Sequence, residues 1–203
     1  MFKVKTLKIH LIRHGLTDGN INGQYIGKTD LPLSPVGVSE LKRLKDEVDY
    51  PKVDRVYSSP MLRCRQTANI LYPSKEATLI DNMREIDFGV FEGKTANELE
   101  VYKEYADWAA GRITAAPGGE DNTDFAKRLC LGLNEIVRDM MANGAEHSAV
   151  IMHGGAIMML LTACAVPRKS MVEWTCASGS GYSILITPSL YHSSGIVEVI
   201  DYV

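Results

Sequence analysis

Residues 7–13 (LKIHLIR) form a short, mostly apolar run that ends at a His14-Gly15 turn. A run of this length bounded by a turn predicts a central strand. Ser34-Pro35 then reads as a helix start, with Ser34 as the cap and Pro35 at the first helical position. Val38, Leu41, Leu44 and Val48 recur behind it at helical spacing. Residues 53–58 (VDRVYS) predict a second strand, and Ser59-Pro60 the opening of a helix that runs towards Leu71. A third, short strand is expected at 77–80. Between 88 and 119 the pattern loosens. It leaves one helical piece over 96–110, then Gly111 and the run Pro117-Gly118-Gly119, which together read as an insertion. Phe125, Leu129, Leu133, Ile136 and Met140 predict an amphipathic helix over 121–141. Residues 148–152 (SAVIM) give a fourth strand, followed by His153-Gly154-Gly155 and an apolar helix, and two last strands are expected at 182–187 and 196–200.

Strands alternating with helices predict a layered α/β fold with a largely parallel sheet. Ligands in such folds bind beyond the carboxyl ends of the strands. Three of the expected strands end in chemically loaded turns: Arg13-His14-Gly15, Ser58-Ser59 ahead of Arg63, and His153-Gly154. A phosphate monoester dianion needs dense positive charge and many donors, and arginine grips it as a planar fork. Arg13 and Arg63 are expected to supply that charge from neighbouring strand ends. A neutral imidazole attacks phosphorus if its other nitrogen is held as a donor. His14 is the expected nucleophile, kept neutral by the guanidinium charges. His153 is a second donor for the transferring oxygens. Gly15 and Gly154 leave room for substrate to approach the backbone. The leaving oxygen needs a proton, which a carboxyl of raised pKa can give. Glu85 is the candidate, with Asp87 and Glu92 close by as alternatives.

Composition narrows the class. The chain has 203 residues, a net charge of -3 and a near-average share of charged residues. This suits one domain and argues against a nucleic-acid binder. The four cysteines have neither CxxC nor zinc-finger spacing, so free thiols in a reducing compartment are expected. Residues 1–15 lack the pattern of a secretory leader, and no apolar run reaches the ~20 residues of a membrane span. A cytoplasmic location is the expectation. With no P-loop, no HExxH and no clustered acidic ligands, neither a metal nor a cofactor is expected. His10, His147 and His192 are expected to be structural or exposed, and Tyr102, Tyr105 and Trp108 to pack within the insertion.

The motifs resemble those of a known family. Leu11-Ile12-Arg13-His14-Gly15 resembles the RHG signature of the histidine phosphatase superfamily, which includes the cofactor-dependent phosphoglycerate mutases. Further blocks follow in that family's order: Gly27-Lys28-Thr29-Asp30-Leu31-Pro32-Leu33-Ser34 with Gly37, Ser58-Ser59 through Arg63 to Gln66-Thr67-Ala68, Glu85 to Gly93, Pro117-Gly118-Gly119-Glu120, and His153-Gly154. The resemblance covers nearly the whole chain. It implies one domain over 1–203, built as a three-layer α/β/α sandwich on a mostly parallel sheet, with a helical lid inserted at about 88–120. It implies His14, Glu85 and His153 as catalytic residues, and Arg13, Arg63, Asn20 and Gly154 as phosphate-binding residues. The expected activity is hydrolysis of a small phosphorylated metabolite through a phosphohistidine, most like the small phosphatases near α-ribazole phosphatase and the broad-specificity phosphatases. Mutase-type transfer and an inactive scaffold are the alternatives. Leu16, Ile26 and Ala156 depart from the family pattern. With the three lid aromatics, Leu16 and Ile26 lead to the expectation of a less polar pocket and bulkier leaving groups.

Overall fold

The computed structural model describes residues 6–203. Residues 1–5, part of the segment read for a leader, lie outside the described residues. The strands are β1 (Leu7–Arg13), β2 (Arg55–Ser58), β3 (Ala77–Leu79), β4 (His147–Met152), β5 (Ala165–Val166), β6 (Gly181–Ile186) and β7 (Val197–Tyr202). They form one sheet in the order β3-β2-β4-β1-β6-β7-β5. β6 pairs antiparallel with both of its neighbours, and every other pairing is parallel. The fold is therefore α/β with a mostly parallel central sheet.

The helices are α1 (Asp18–Ile21), α2 (Pro35–Glu47), α3 (Leu62–Leu71), α4 (Ala96–Leu99), α5 (Lys103–Ala109), α6 (Asn122–Asn143), α7 (Gly154–Cys164) and α8 (Pro188–Ser194). Alternation along the central strands divides the core into two. Leu7, Ile9 and Leu11 of β1 join Val150 and Met152 of β4 against the apolar faces of α6 and α7. Ile12, Val56, Ala149 and Ile151 face the other way, onto Leu41 of α2 and Cys64, Ala68 and Leu71 of α3. Helices thus cover both faces, as a sheet buried on both sides requires.

Local chemistry sets several boundaries. Ser34 caps α2 by accepting the Gly37 N–H at 2.9 Å, with Pro35 at the first position. A cap of this kind contributes about 1 kcal/mol. α3 does not open at Ser59-Pro60. It begins at Leu62, whose N–H is taken by Asp30 Oδ1 at 2.7 Å from a distant loop. The single helical piece expected at 96–110 is two helices. A Thr95–Glu98 capping box starts α4, and α5 begins afresh at Lys103. With the sequence between them, these helices carry a small cluster of their own. Phe91, Leu99 and Ala116 are buried there under Tyr25, Phe88, Tyr105 and Trp108. Tyr102 is exposed.

The parallel strands β2, β4 and β1 end together. Arg13 stands opposite Met152, and Ser58 opposite Ile151. β4 lies between β1 and β2, so the two expected arginines come from strand ends separated by a third, not from neighbours. The turn after that middle strand carries His153.

Candidate active site

His14 leaves β1 with its backbone N–H bonded to Met152 O at 2.9 Å. The next N–H, of Gly15, is held by Thr67 Oγ1 of α3 at 3.0 Å. The imidazole is buried, and its Nδ1 donates to Gly15 O at 2.7 Å. That bond fixes the tautomer and leaves Nε2 as the nitrogen with a free lone pair. Burial first, then the Arg63 charge, lowers the His14 pKa to about 3. The ring is neutral at every pH at which a phosphomonoester is a dianion.

Arg63 is almost wholly buried, with 1% of its surface exposed, and among the described residues no carboxylate is bonded to it. Its Nη1 donates to Thr29 O at 2.8 Å, its Nη2 to Gly27 O at 2.9 Å and its Nε to His153 Nδ1 at 3.3 Å. Three of the five N–H groups are spent on alignment, and two remain. Arg13 Nη1 is anchored to Cys176 O at 2.8 Å, while its Nε is buried with no partner among the described residues. Buried donors of this kind call for an acceptor, and two guanidinium groups with spare N–H call for an anion.

His153 is fully buried, 5.2 Å from His14 between ring centroids. Its pKa is held well below the ordinary value, mainly by burial and then by Arg63. Accepting from Arg63 through Nδ1, the neutral ring donates through Nε2 to Ser59 Oγ at 2.9 Å. Both ring nitrogens are therefore engaged within the protein. In this state His153 aligns Arg63 and presents no free N–H, unlike the ready donor expected from the sequence.

Glu85 is buried beside these groups. Oε1 accepts the Ile86 N–H at 3.0 Å and Oε2 the Gly155 N–H at 2.9 Å. Burial raises its pKa against those two bonds and the charges of Arg63 and Arg13. Asp87 and Glu92, its sequence rivals, are occupied. Asp87 pairs with Lys28 at 2.9 Å and caps the Gly89 N–H. Glu92 accepts from the N–H groups of Gly27, Lys28 and Phe88 and from the Thr29 hydroxyl. It pins the strand of chain whose carbonyls orient Arg63.

The sequence matches the family profile described as "Histidine phosphatase superfamily (branch 1)" over residues 9–192. The chain belongs to the histidine phosphatase superfamily. Its relatives include a broad-specificity phosphatase of Saccharomyces cerevisiae, 33% identical over 162 residues and covering 76% of this chain and 69% of that protein. An adenosylcobalamin/alpha-ribazole phosphatase of Salmonella typhimurium is 26% identical over 160 residues, with 76% and 78% covered. A solved phosphoserine phosphatase from Entamoeba histolytica, in complex with phosphoserine, superposes with a TM-score of 0.79 at 23% identity, covering 97% of this chain and 96% of that one. It shows the shared fold. This protein is an enzyme, a histidine phosphatase.

Two expected phosphate ligands of this histidine phosphatase also have roles within the protein. Asn20 lies on α1, and its Oδ1 closes a capping box on the Thr17 N–H at 3.2 Å, leaving only its amide N–H groups for a ligand. Space at Gly154 serves Arg13, since a Cβ there would lie 3.2 Å from Arg13 Nε. Gly15 is likewise a packing glycine, its missing side chain replaced by Leu41 and Leu33. Gly155 is the glycine that matters to the acid: a Cβ there would stand 2.8 Å from Glu85 Oε1. Thr67 and Asp30, which hold the Gly15 N–H and the start of α3, carry roles that sequence reasoning missed. Thr67 and Asp30 lie inside the quoted motif blocks, yet only spatial pairing reveals their partners.

His10 is buried on β1 and bonded through Nδ1 to Ser183 Oγ at 2.8 Å, while His147 and His192 are exposed. Among the described residues, no three His, Cys, Asp or Glu side chains gather as a metal-binding group. Burial chiefly lowers the His10 pKa to about 4. For His10, His14 and His153 the folded state binds fewer protons than the unfolded chain below pH ~6.5, so stability falls with pH from there. The cost for His10 and His14 is on the order of 3 kcal/mol each by pH 4. Glu85, with its raised pKa, works the other way and loses stability as pH rises above its ordinary value. The denaturant midpoint should fall steadily from pH 7 to pH 4. A flat profile would contradict the buried neutral histidines.

Proposed function

We propose that the protein hydrolyses small phosphomonoesters in two steps through His14. Nε2 attacks phosphorus while the ester oxygen departs and takes the Glu85 proton. Water then gives a proton to Glu85, attacks the phosphoryl group and breaks the P–N bond, releasing phosphate and restoring the acid. Arg13 and the two free N–H groups of Arg63 hold the phosphoryl oxygens. The Asn20 amide and the Gly154 N–H, in the first turn of α7, are further donors. His153 keeps Arg63 aligned and contributes its own N–H once Ser59 releases it. The observation that carries this reading is the His14 Nδ1–Gly15 carbonyl bond of 2.7 Å, which leaves Nε2 unprotonated beside Arg63.

Hydrolysis is favoured over mutase-type transfer by the inserted segment, read here as the lid. A mutase needs spare cations there to hold the substrate carboxylate. The segment has only Arg112, Lys94 and Lys103: Arg112 pairs with Asp107 at 2.6 Å, the Lys94 amine bonds to the Val90 carbonyl, and Lys103 lies 3.9 Å from Asp107. Incubation with 3-phosphoglycerate and its bisphosphorylated activator should yield free phosphate and little 2-phosphoglycerate. Abundant isomerisation would overturn this preference. The arginines supply the charge, so turnover of 4-nitrophenyl phosphate should persist in excess EDTA, and loss of activity would point to a metal. The four unpaired thiols fit a reducing, cytoplasmic setting.

The leaving group must reach Glu85, and the recess beside that residue is lined by Lys28, Arg84, Asp87, Glu120, Arg128 and Met61. Ile26 packs towards Gly19 instead, and Tyr105 and Trp108 pack within the insertion. These charged neighbours of Glu85 favour a polar leaving-group site over the less polar pocket read from the sequence. A panel of phosphorylated metabolites should show preference for polar or charged leaving groups over plain alkyl ones. The opposite order would return the argument to an apolar pocket.

A further inference from the structure

Arg128, which lines the recess beside Glu85, belongs to α6, and all five of its N–H groups are spent within the protein. Nε and Nη2 donate to the two oxygens of Glu120 at 2.6 and 2.7 Å. Nη1 donates to the carbonyls of Asn82 and Arg84 at 3.0 and 2.8 Å. Nη2 also donates to the carbonyl of Glu85 itself at 2.9 Å. The guanidinium lies over the buried Phe125 ring, 4.7 Å from its centre, so its plane is fixed from below. Glu120 closes the other side, its backbone N–H bonded to Asp87 O at 2.9 Å.

The chain from 82 to 87 has no strand partner among the described residues. A single 3-10 turn, Asp81–Met83, is its regular structure. Its main chain is nonetheless held on both sides of Glu85 by one ion pair. The side chain has little leeway either, since Gly155 stands where any Cβ would strike the carboxylate.

We propose that Arg128, held by Glu120, is a positioning residue for Glu85. It fixes the turn that presents the carboxyl to the leaving oxygen. This rests on the reading of Glu85 as proton donor, and the experiment separates the two. 4-Nitrophenolate departs without protonation, whereas an alkoxide needs the acid. kcat/KM, which reports the step that expels the leaving group, is measured for 4-nitrophenyl phosphate and for glycerol 2-phosphate. The readout is the ratio of the two values, aryl over alkyl. A residue that merely supports the fold lowers both alike and leaves the ratio unchanged.

Glu85→Gln should raise the ratio by about 100-fold. Arg128→Ala should raise it by at least about 10-fold, measured below its melting temperature with the folded fraction confirmed by circular dichroism. Arg128→Lys keeps the charge but cannot span three carbonyls and a carboxylate, and should fall between wild type and Arg128→Ala. It also carries the comparison should the alanine variant not fold. A raised ratio in Glu85→Gln with an unchanged ratio in both Arg128 variants would overturn the positioning role alone. An unchanged ratio in Glu85→Gln would overturn the proton-donor reading and the positioning role with it.

Discussion

His14→Ala should lower kcat on any phosphomonoester by about 10^4-fold or more, while the affinity for inorganic phosphate changes little. The anion is held by Arg13 and Arg63, and neither depends on the imidazole for its anchors, which are Cys176 O for one and Thr29 O, Gly27 O and His153 for the other. Removing the ring therefore deletes the nucleophile and leaves the charge in place. It also frees the Gly15 carbonyl and opens a small void, so a modest fall in melting temperature is expected without loss of fold. Steady-state rates and phosphate titration of the variant check both halves. Retained turnover would show that another group attacks. Lost phosphate binding with a folded chain would show that the ring, not the guanidinium pair, holds the anion.

Arg63→Ala should lower kcat/KM by about 10^3-fold and abolish the thermal stabilisation that phosphate gives the native enzyme. A cation buried without a carboxylate is unfavourable in the empty site, and bound phosphate relieves it, so the protein should melt higher with phosphate present. Without Arg63, the carbonyls of Gly27 and Thr29 and His153 Nδ1 lose their donor. The buried pair among them, Gly27 O and His153 Nδ1, cost about 1–3 kcal/mol each when left unsatisfied. Arg63→Lys should recover little, because one ammonium cannot align with two carbonyls and an imidazole and still offer two N–H groups to phosphate. Melting scans with and without phosphate, beside kinetics, check this. An Arg63→Lys variant with native kcat/KM would mean that net charge, not the aligned fork, is what the site uses.

Much of this architecture can be read along the chain. β1 is bounded as its apolar run predicts, and Ser34, Pro35 and Gly37 state the start of α2 in local chemistry. His14 and His153 directly follow β1 and β4, and Arg63 and Glu85 come five and six residues after the ends of β2 and β3. Three features resist such reading. The start of α3 depends on Asp30, 32 residues upstream of Leu62 in sequence, so Ser59-Pro60 looks like a cap and is not one. The order of strands is a long-range property, and nothing local places β4 between β1 and β2. Arg128 looks like any exposed cation on an amphipathic helix, since its carbonyl partners lie 43–46 residues away. The division of α4 from α5 is different. The Thr95–Glu98 capping box announces a fresh start, and the run of helix-forming residues after it obscures the break.

The most direct test is chemical trapping of the intermediate. Enzyme mixed with 32P-labelled substrate, quenched in alkali and digested should yield one labelled peptide, the label on Nε2 of residue 14, stable to base and released by acid. Full turnover with no label on that ring, or with the label on another side chain, would contradict covalent catalysis by His14.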